Sequence, residues 1–259
     1  MVVATELPVK LPWDTFYALE EQQNGQGQHR LFLGPTQSGK TTLCRKIAAL
    51  RGYVVVLGTK NVDESLDAYL IEGYKRIYQW PPTEKEIEEA RQPDGSVRFI
   101  LWPKITELSD LNDPKTKLAF TKLFNQAYKE GYWTIVCDES LWLADKEGLD
   151  MDRILSKMAF ASASNKVSLY LCMQRPSGIS RITWSSVTDV YMFHMGVTQD
   201  VVEMAALGRH SPKEVRDAMA SLGDREFLKL PIRANAEWST SKITPQAAQA
   251  KRTEFSTTA

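Results

Sequence analysis

The sequence predicts an α/β fold, with a mostly parallel central sheet and helices on both faces. Two observations lead to this prediction. Short runs rich in β-branched and aromatic residues alternate along the chain with segments that repeat apolar residues at helical spacing. In addition, the strand-like runs are apolar at nearly every position, which is typical of parallel strands that are buried on both faces.

The first predicted strand–helix unit follows an N-terminal lead-in of residues 1–28, in which only Trp13 to Gln22 has helical character. The run RLFL at residues 30–33 is typical of a buried strand. The helix after the next turn carries apolar residues at positions i, i+4 and i+7, which lie on one helix face: Leu43, Ile47 and Leu50.

Further elements alternate along the rest of the chain. Strands are predicted in the segments YVVVLGT, VRFILW, YWTIVCDES, VSLYLCMQR, DVYMFHMG and EFLKL. Helices are predicted in a short charged segment within residues 61–98 and in KTKLAFTKLFNQAYKEG, LDMDRILSKMAFASASN, DVVEMAALG and SPKEVRDAMASLG. The last helix has Ser211 as its N-cap, Pro212 at its first position and Glu214 to complete a capping box.

We expect a single domain at residues 29–233 and a mobile C-terminal tail at residues 234–259, which has few large apolar residues. The formal net charge is zero, which excludes a global electrostatic attraction to nucleic acid. No apolar run reaches the roughly 18–20 residues that a membrane span needs. The three cysteines lie in predicted strands or helices without metal-ligand spacing, so we expect buried, reduced thiols.

The segment GPTQSGKTT matches the phosphate-loop pattern Gly-x-x-x-x-Gly-Lys-Thr, and it lies between a predicted strand and a predicted helix. Its glycines allow backbone N–H groups to curl around an anion, and the helix N-terminus adds a positive end. Lys40 can reach the β- and γ-phosphates, while Thr41 offers a hydroxyl to Mg²⁺. The predicted nucleotide-binding residues are Gly34, Pro35, Thr36, Gln37, Ser38, Gly39, Lys40, Thr41 and Thr42.

Two acidic residues follow the buried strand WTIVC and complete a predicted hydrolytic site. Asp138 lies where a strand end can deliver a carboxylate to Mg²⁺, through the water shell of the metal ion. Glu139 can orient or deprotonate an attacking water as a general base. The pair therefore favours hydrolysis over simple nucleotide binding.

Two other classes of phosphate-loop protein are excluded by missing motifs. A GTPase would carry an Asn-Lys-x-Asp guanine reader, but the segment at residues 165–168 is Asn-Lys-Val-Ser. The Leu-Ser-Gly-Gly-Gln signature of transporter ATPases is also absent. We therefore expect ATP, with Mg²⁺, as the nucleotide.

The segment SLYLCMQRPSGISR resembles the sensor strand of the FtsK–HerA ATPases, which commonly ends in Thr-Gln-Arg-Pro-Ser, with Met173 here in place of threonine. The segment SSVTDVYMFHMGVTQDVVEMAALG, which has an acid before a strand and then an acid that opens a helix, also resembles that superfamily. So does the segment LGDREFLKL. The resemblance covers roughly residues 29–232 and implies a RecA-like P-loop NTPase core. It also implies that Gln174 contacts the γ-phosphate or the attacking water.

The resemblance further implies a ring in which a neighbouring subunit supplies an arginine to each ATP site. Many relatives place this arginine just after the acid that corresponds to Asp200, but Val201 and Val202 stand there in this sequence. The substitutes are Arg181 and Arg209, and then Arg175 and Arg225.

The compact form of the chain resembles viral genome-packaging ATPases. This implies an ATP-hydrolysing double-stranded DNA translocase that forms a hexamer or pentamer and works with a capsid vertex or portal protein. The implied location is the host cytoplasm or the virion. A plasmid or cellular DNA pump, a small-molecule P-loop kinase and a non-translocating assembly ATPase remain as alternatives.

Overall fold

The computed structural model describes residues 7–23, 25–104, 107, 110, 113–177, 179–196, 198–232 and 237–244. Within these residues, the strands are β1 (Val9–Lys10), β2 (Arg30–Leu33), β3 (Tyr53–Leu57), β4 (Lys75–Ile77), β5 (Val97–Leu101), β6 (Trp133–Cys137), β7 (Ser168–Met173), β8 (Asp189–Met192), β9 (Glu226–Pro231) and β10 (Ser239–Lys242). They form a single sheet in the order β1-β10-β9-β8-β2-β7-β6-β3-β5-β4.

The strands from β8 to β4 in this order all run parallel to their neighbours. Strand β9 is antiparallel to both β8 and β10. Because the parallel strands point the same way, the carboxyl ends of β2, β7, β6 and β3 lie along one edge of the sheet. The predicted α/β fold with a mostly parallel sheet is confirmed.

The helices of the described residues are α1 (Trp13–Gln22), α2 (Lys40–Ala48), α3 (Glu64–Ile71), α4 (Glu84–Ala90), α5 (Pro114–Glu130), α6 (Ser140–Ala144), α7 (Asp152–Ala161), α8 (Arg181–Ser185), α9 (Thr198–Leu207) and α10 (Pro212–Ala220). The predicted helix at Trp13 to Gln22 is confirmed as α1. The predicted capping box is also confirmed, because Ser211 and Glu214 bond reciprocally at the start of α10. None of the helices in these parts of the chain is long and apolar enough to cross a membrane.

Each face of the sheet carries its own apolar core, as the continuous apolar character of the strands predicts. In β2, Leu31 and Leu33 face the core that includes Phe120 of α5. Phe32, between them, faces the opposite core, which includes Leu43 of α2. All of these side chains are fully buried, and so are the three cysteines.

Several elements of the structure were not predicted from the sequence. Among these are α3, β4, α6 and α8, and also β10, whose sequence Ser-Thr-Ser-Lys has no apolar residue. Strand β10 is stable here because it pairs with β9 on one side and β1 on the other. Residues 239–242, which lie within the expected tail, form this strand, while residues 245–259 lie outside the described residues.

The N-terminal segment is also more than a lead-in to the domain. Phe16 of α1 is buried and meets the ring of Phe227 in β9 edge to face, with the ring centroids 5.0 Å apart. Strand β1 pairs with β10 at the edge of the sheet. The packed unit consequently begins before residue 29, because α1 covers apolar strand surface that would otherwise be exposed to water.

Candidate functional site

The phosphate loop leaves β2 and enters α2 through two glycines that have positive φ angles, 152° at Gly34 and 105° at Gly39. A Cβ atom on Gly34 would lie 2.7 Å from Cβ of Phe193. A Cβ atom on Gly39 would lie 3.1 Å from Cδ1 of Ile243. Backbone conformation and close packing therefore both favour glycine at these two positions, which lets the loop curl tightly at the start of α2.

Lys40, the first residue of α2, folds back along the loop that precedes it. Its ammonium group donates a hydrogen bond of 2.6 Å to the carbonyl oxygen of Pro35. Burial lowers the pKa of Lys40, and the nearby carboxylates of Asp138 and Glu139 oppose this shift. Lys40 is therefore within electrostatic reach of both predicted acids.

A chain of hydrogen bonds joins the start of α2 to the end of β6 and to the start of α3. The hydroxyl of Thr41 donates to Oδ1 of Asp138 at 2.7 Å, and the hydroxyl of Ser65 lies 3.1 Å from Oδ2 of the same carboxylate. Ser65 also lies 2.5 Å from Oδ1 of Asp63, the N-cap of α3. Burial raises the pKa of Asp138, while the hydrogen bonds from Thr41 and Ser65 act in the opposite direction.

Glu139, the second predicted acid, accepts a hydrogen bond from the ammonium group of Lys60. The same ammonium lies 3.9 Å from Oδ2 of Asp63. The Glu139 side chain is 34% exposed and that of Lys60 is 50% exposed, so the pair lies at the open side of the site.

Gln174 follows β7, the strand between β2 and β6, so its position lies between the phosphate loop and the acidic pair. Its side-chain amide donates to the hydroxyl of Thr36 at 3.2 Å. The Gln174 side chain is exposed and therefore accessible from the solvent side of the site.

These groups surround a cavity of about 500 Å³. Its lining includes the predicted residues Thr36, Gln37, Gly39, Lys40, Thr41, Thr42, Asp138, Glu139 and Gln174. The predicted loop residues Gly34, Pro35 and Ser38 do not line it. The cavity also includes residues that sequence reasoning missed: Lys60, Val62, Asp63, Glu64, Ser65, Met173 and Ile243.

The missed residues come mainly from two places. Residues 60–65 follow β3, which lies next to β6 in the sheet. Ligands commonly bind at the carboxyl ends of parallel strands, so the position of these residues after a predicted strand was a signal for the site. Ile243 follows β10, for which the sequence carries no strand signal.

Four arginines were predicted as candidates to reach the ATP site of a neighbouring subunit, and their surroundings differ. Arg175 donates to the buried carboxylate of Asp200 at 2.9 Å, so its guanidinium group is held within its own chain. Arg225 lines the cavity of its own chain. Arg181 and Arg209 are exposed, and the guanidinium of Arg181 lies 5.7 Å from the centroid of the Trp184 ring.

Comparison of the sequence with protein-family models and with curated proteins finds no match. The fold, however, is similar to that of B204, the DNA-packaging ATPase from Sulfolobus Turreted Icosahedral Virus, with a TM-score of 0.58 and 15% identity over 85% of this chain and 99% of that chain.

Two further similar structures come from other systems. VirB4 of Thermoanaerobacter pseudethanolicus gives a TM-score of 0.56 and 11% identity over 85% of this chain and 90% of that chain. The pCW3 conjugation coupling protein TcpA gives a TM-score of 0.53 and 15% identity over 91% of this chain and 70% of that chain. These likenesses confirm the expected fold: the chain has an α/β RecA-like core similar to that of the three proteins named here.

Proposed function

We propose that this protein is an ATPase that hydrolyses ATP at the cavity between the phosphate loop and the end of β6. The observation that carries the proposal is the 2.7 Å hydrogen bond between Thr41 and Asp138. It joins the start of α2 to the strand that also delivers Glu139, which is the arrangement that a hydrolytic triphosphate site requires. The similar packaging NTPase of Sulfolobus turreted icosahedral virus 2 has been solved with AMPPCP and with ATP-gammaS.

The phosphate loop and Lys40 bind the phosphates of ATP. The backbone N–H groups at the start of α2 and the positive end of that helix attract the phosphate chain. Lys40 exchanges the carbonyl oxygen of Pro35, 2.6 Å away, for phosphate oxygens. This exchange is favourable because a charge-assisted hydrogen bond to an anion is stronger than one to a neutral carbonyl.

Thr41 and Asp138 are the residues that fit Mg²⁺. A hydroxyl and a carboxylate are the hard oxygen ligands that this ion prefers, and here they already lie within hydrogen-bond distance of each other. When bound, Mg²⁺ neutralises charge on the β- and γ-phosphate oxygens.

Glu139 activates the attacking water, and Gln174 distinguishes ATP from ADP. The Glu139 carboxylate orients the attacking water and accepts its proton. The Gln174 amide, now 3.2 Å from the Thr36 hydroxyl, contacts the γ-phosphate or the attacking water. A neutral amide suits this role because it can donate to an oxygen without adding a charge.

We further propose that hydrolysis drives movement along double-stranded DNA, most closely in the manner of a viral genome-packaging motor. The similar structures include a DNA-packaging ATPase and a conjugation coupling protein. The working form is then a closed hexameric or pentameric ring, in which Arg181 or Arg209 reaches the ATP site of the next subunit. The unit extends from α1 to β10, and its further partner is a capsid vertex or portal protein in the host cytoplasm or the virion.

The decisive experiment measures the ATPase rate with double-stranded DNA, with heparin and without either polyanion, at a series of salt concentrations. DNA contacts made mainly to phosphates predict stimulation that does not depend on base composition and that fades as salt rises. Heparin serves as the polyanion control and is expected to stimulate less than DNA.

The alternatives predict different results. If DNA does not change the ATPase rate of assembled rings, the protein is a non-translocating assembly ATPase and not a translocase. Turnover that requires a small phosphate acceptor would indicate a kinase instead.

A further inference from the structure

Lys60 follows β3 and lines the cavity. Neither phosphate binding nor water activation, as proposed above, involves this charged residue. Strands β3 and β6 are neighbours, and Leu57 at the end of β3 pairs with Cys137 at the end of β6. The chain therefore carries Lys60 beside Glu139, although the two residues are 79 positions apart in sequence. Strand order alone brings them together.

The backbone at Lys60 is held in place by Trp102, which directly follows β5. The indole N–H of Trp102 donates to the carbonyl oxygen of Lys60 at 2.5 Å. Gly58 lies so close that a Cβ atom on it would be 2.6 Å from the Trp102 side chain. This anchoring fixes the point from which the long lysine side chain starts, and it leaves the ammonium group free to reach the site.

Three carboxylates converge where the Lys60 side chain ends. Lys60 contacts Glu139 directly and lies 3.9 Å from Asp63, whose neighbour Ser65 lies within hydrogen-bond distance of Asp138. Burial alone would lower the pKa of Lys60, but its hydrogen bond to Glu139 and the charges of the carboxylates raise that pKa. The ammonium ion is therefore retained at neutral pH.

We propose that Lys60 is a positioning residue for Glu139, and this inference rests on the proposed ATPase function. Without the ammonium ion, the partly exposed Glu139 side chain would be repelled by Asp138 and Asp63 and would turn toward solvent. With it, the carboxylate is held over the cavity, where an attacking water must be oriented. Lys60 thus acts on the chemical step through Glu139 and contributes little to nucleotide affinity.

The first test compares Lys60→Gln and Lys60→Arg with wild type for kcat, KM and the Kd of a non-hydrolysable ATP analogue. Lys60→Gln should lower kcat by about tenfold or more, because a general base that is poorly placed loses part of its contribution of roughly 10²–10⁴. KM and Kd should change by less than about threefold, and Lys60→Arg should recover part of kcat because it keeps the cation.

The matched control is Lys85→Gln. Lys85 also faces a glutamate, Glu89, at 3.8 Å, but it is 86% exposed on α4 and does not line the cavity. A kcat for Lys60→Gln equal to that of Lys85→Gln would overturn the proposal. So would a rise in kcat, or a loss of analogue binding as large as the loss of turnover.

A double-mutant cycle then asks whether Lys60 acts through Glu139. In the Glu139→Gln background, Lys60→Gln should change single-turnover hydrolysis by less than about twofold, because the carboxylate that it positions is gone. Losses that multiply in the double variant would show that Lys60 acts independently, which overturns the positioning role.

A carbodiimide cross-linking experiment separates this inference from the proposed ATPase function. The reagent joins an amine and a carboxyl group in direct contact, so Lys60 and Glu139 should form an amide that peptide mass spectrometry locates. The cross-link should form whether or not the protein hydrolyses ATP. If it forms in a protein without ATPase activity, the proposed function fails; if an active protein never yields it, the positioning role fails.

Discussion

Glu20 of α1 and Arg30 at the start of β2 form an ion pair of 2.9 Å in which the side chains are 0% and 1% exposed. Lys229 of β9 also contacts the Glu20 carboxylate, at 2.5 Å. Burial alone would raise the pKa of Glu20, but the two cations hold it below its ordinary value. The N-terminal helix is consequently joined to the sheet by charge as well as by apolar packing.

This relationship predicts a large stability loss when one partner is removed. Glu20→Gln should lower the free energy of unfolding by about 3 kcal/mol, because Arg30 and Lys229 then stay buried without their main counter-charge. Urea denaturation measures the change. As a control, Lys10→Gln removes an exposed ion pair of 3.1 Å with Glu226 and should cost less than about 1 kcal/mol. Equal midpoints for the two variants would contradict the prediction.

His29, next to Arg30, predicts a pH dependence of stability. It is 2% exposed and accepts a hydrogen bond of 3.0 Å from the Leu169 N–H. Burial lowers its pKa from 6.5 to about 4, so the unfolded chain binds a proton below pH 6.5 that the folded chain does not bind until about pH 4. Stability should therefore fall as pH falls, by about 2 kcal/mol between pH 7.5 and 5 from this residue.

The measurement is urea denaturation at several pH values for the wild type and for His29→Asn. Asparagine keeps an acceptor for the Leu169 N–H but does not titrate, so its stability should depend less on pH over the same range. Identical pH slopes for the two proteins would rule out His29 as the source of the dependence.

Substitutions at the phosphate loop and at the acidic pair should separate binding from chemistry. Lys40→Ala should abolish productive ATP binding, because the loop's backbone donors alone compensate the β- and γ-phosphate charge poorly. Glu139→Gln should bind ATP but hydrolyse it about 10²–10⁴ times more slowly. Nucleotide affinity and turnover should be measured for both variants. Turnover near the wild-type rate in Glu139→Gln would remove that residue from the catalytic step.

If the working form is the proposed ring, mixing of variant subunits should identify an arginine that acts between them. Arg209→Ala or Arg181→Ala subunits mixed with Glu139→Gln subunits should regain part of the activity, because one kind of interface has both groups intact. Arg225 lines the cavity of its own chain, so a defect in Arg225→Ala should not be rescued in this way. Turnover of rings that are shown to mix provides the measurement. Absence of rescue with both Arg181 and Arg209 would exclude these two residues from a shared site.

Arg175 serves as a structural reference in the same series. Its substitution leaves the buried Asp200 carboxylate without the guanidinium at 2.9 Å. Arg175→Ala should therefore lower the melting temperature, since an uncompensated buried charge is costly. Arg209→Ala should leave the melting temperature nearly unchanged because Arg209 is exposed. A melting temperature unaffected in Arg175→Ala would show that Asp200 is solvated without its partner.

Features that depend on neighbouring residues could be predicted from the sequence alone. The phosphate loop is nine consecutive residues whose flanking strand and helix are evident from apolar spacing. Asp138 and Glu139 could be predicted because they directly follow a continuous apolar run. The capping box at Ser211 and Glu214 spans four positions, and such local hydrogen bonds need no tertiary partner.

Which distant residues share the site, and which segments belong to the packed unit, depends on the three-dimensional fold. Lys60 and Ile243 reach the cavity because of strand order, and the apolar spacing within a strand does not reveal its neighbours in a sheet. Glu20 and Lys229 are 209 positions apart, and each alone has the appearance of an ordinary surface charge in the sequence. Their burial is stable because the opposite charges meet after folding, and this compensation exists only in three dimensions.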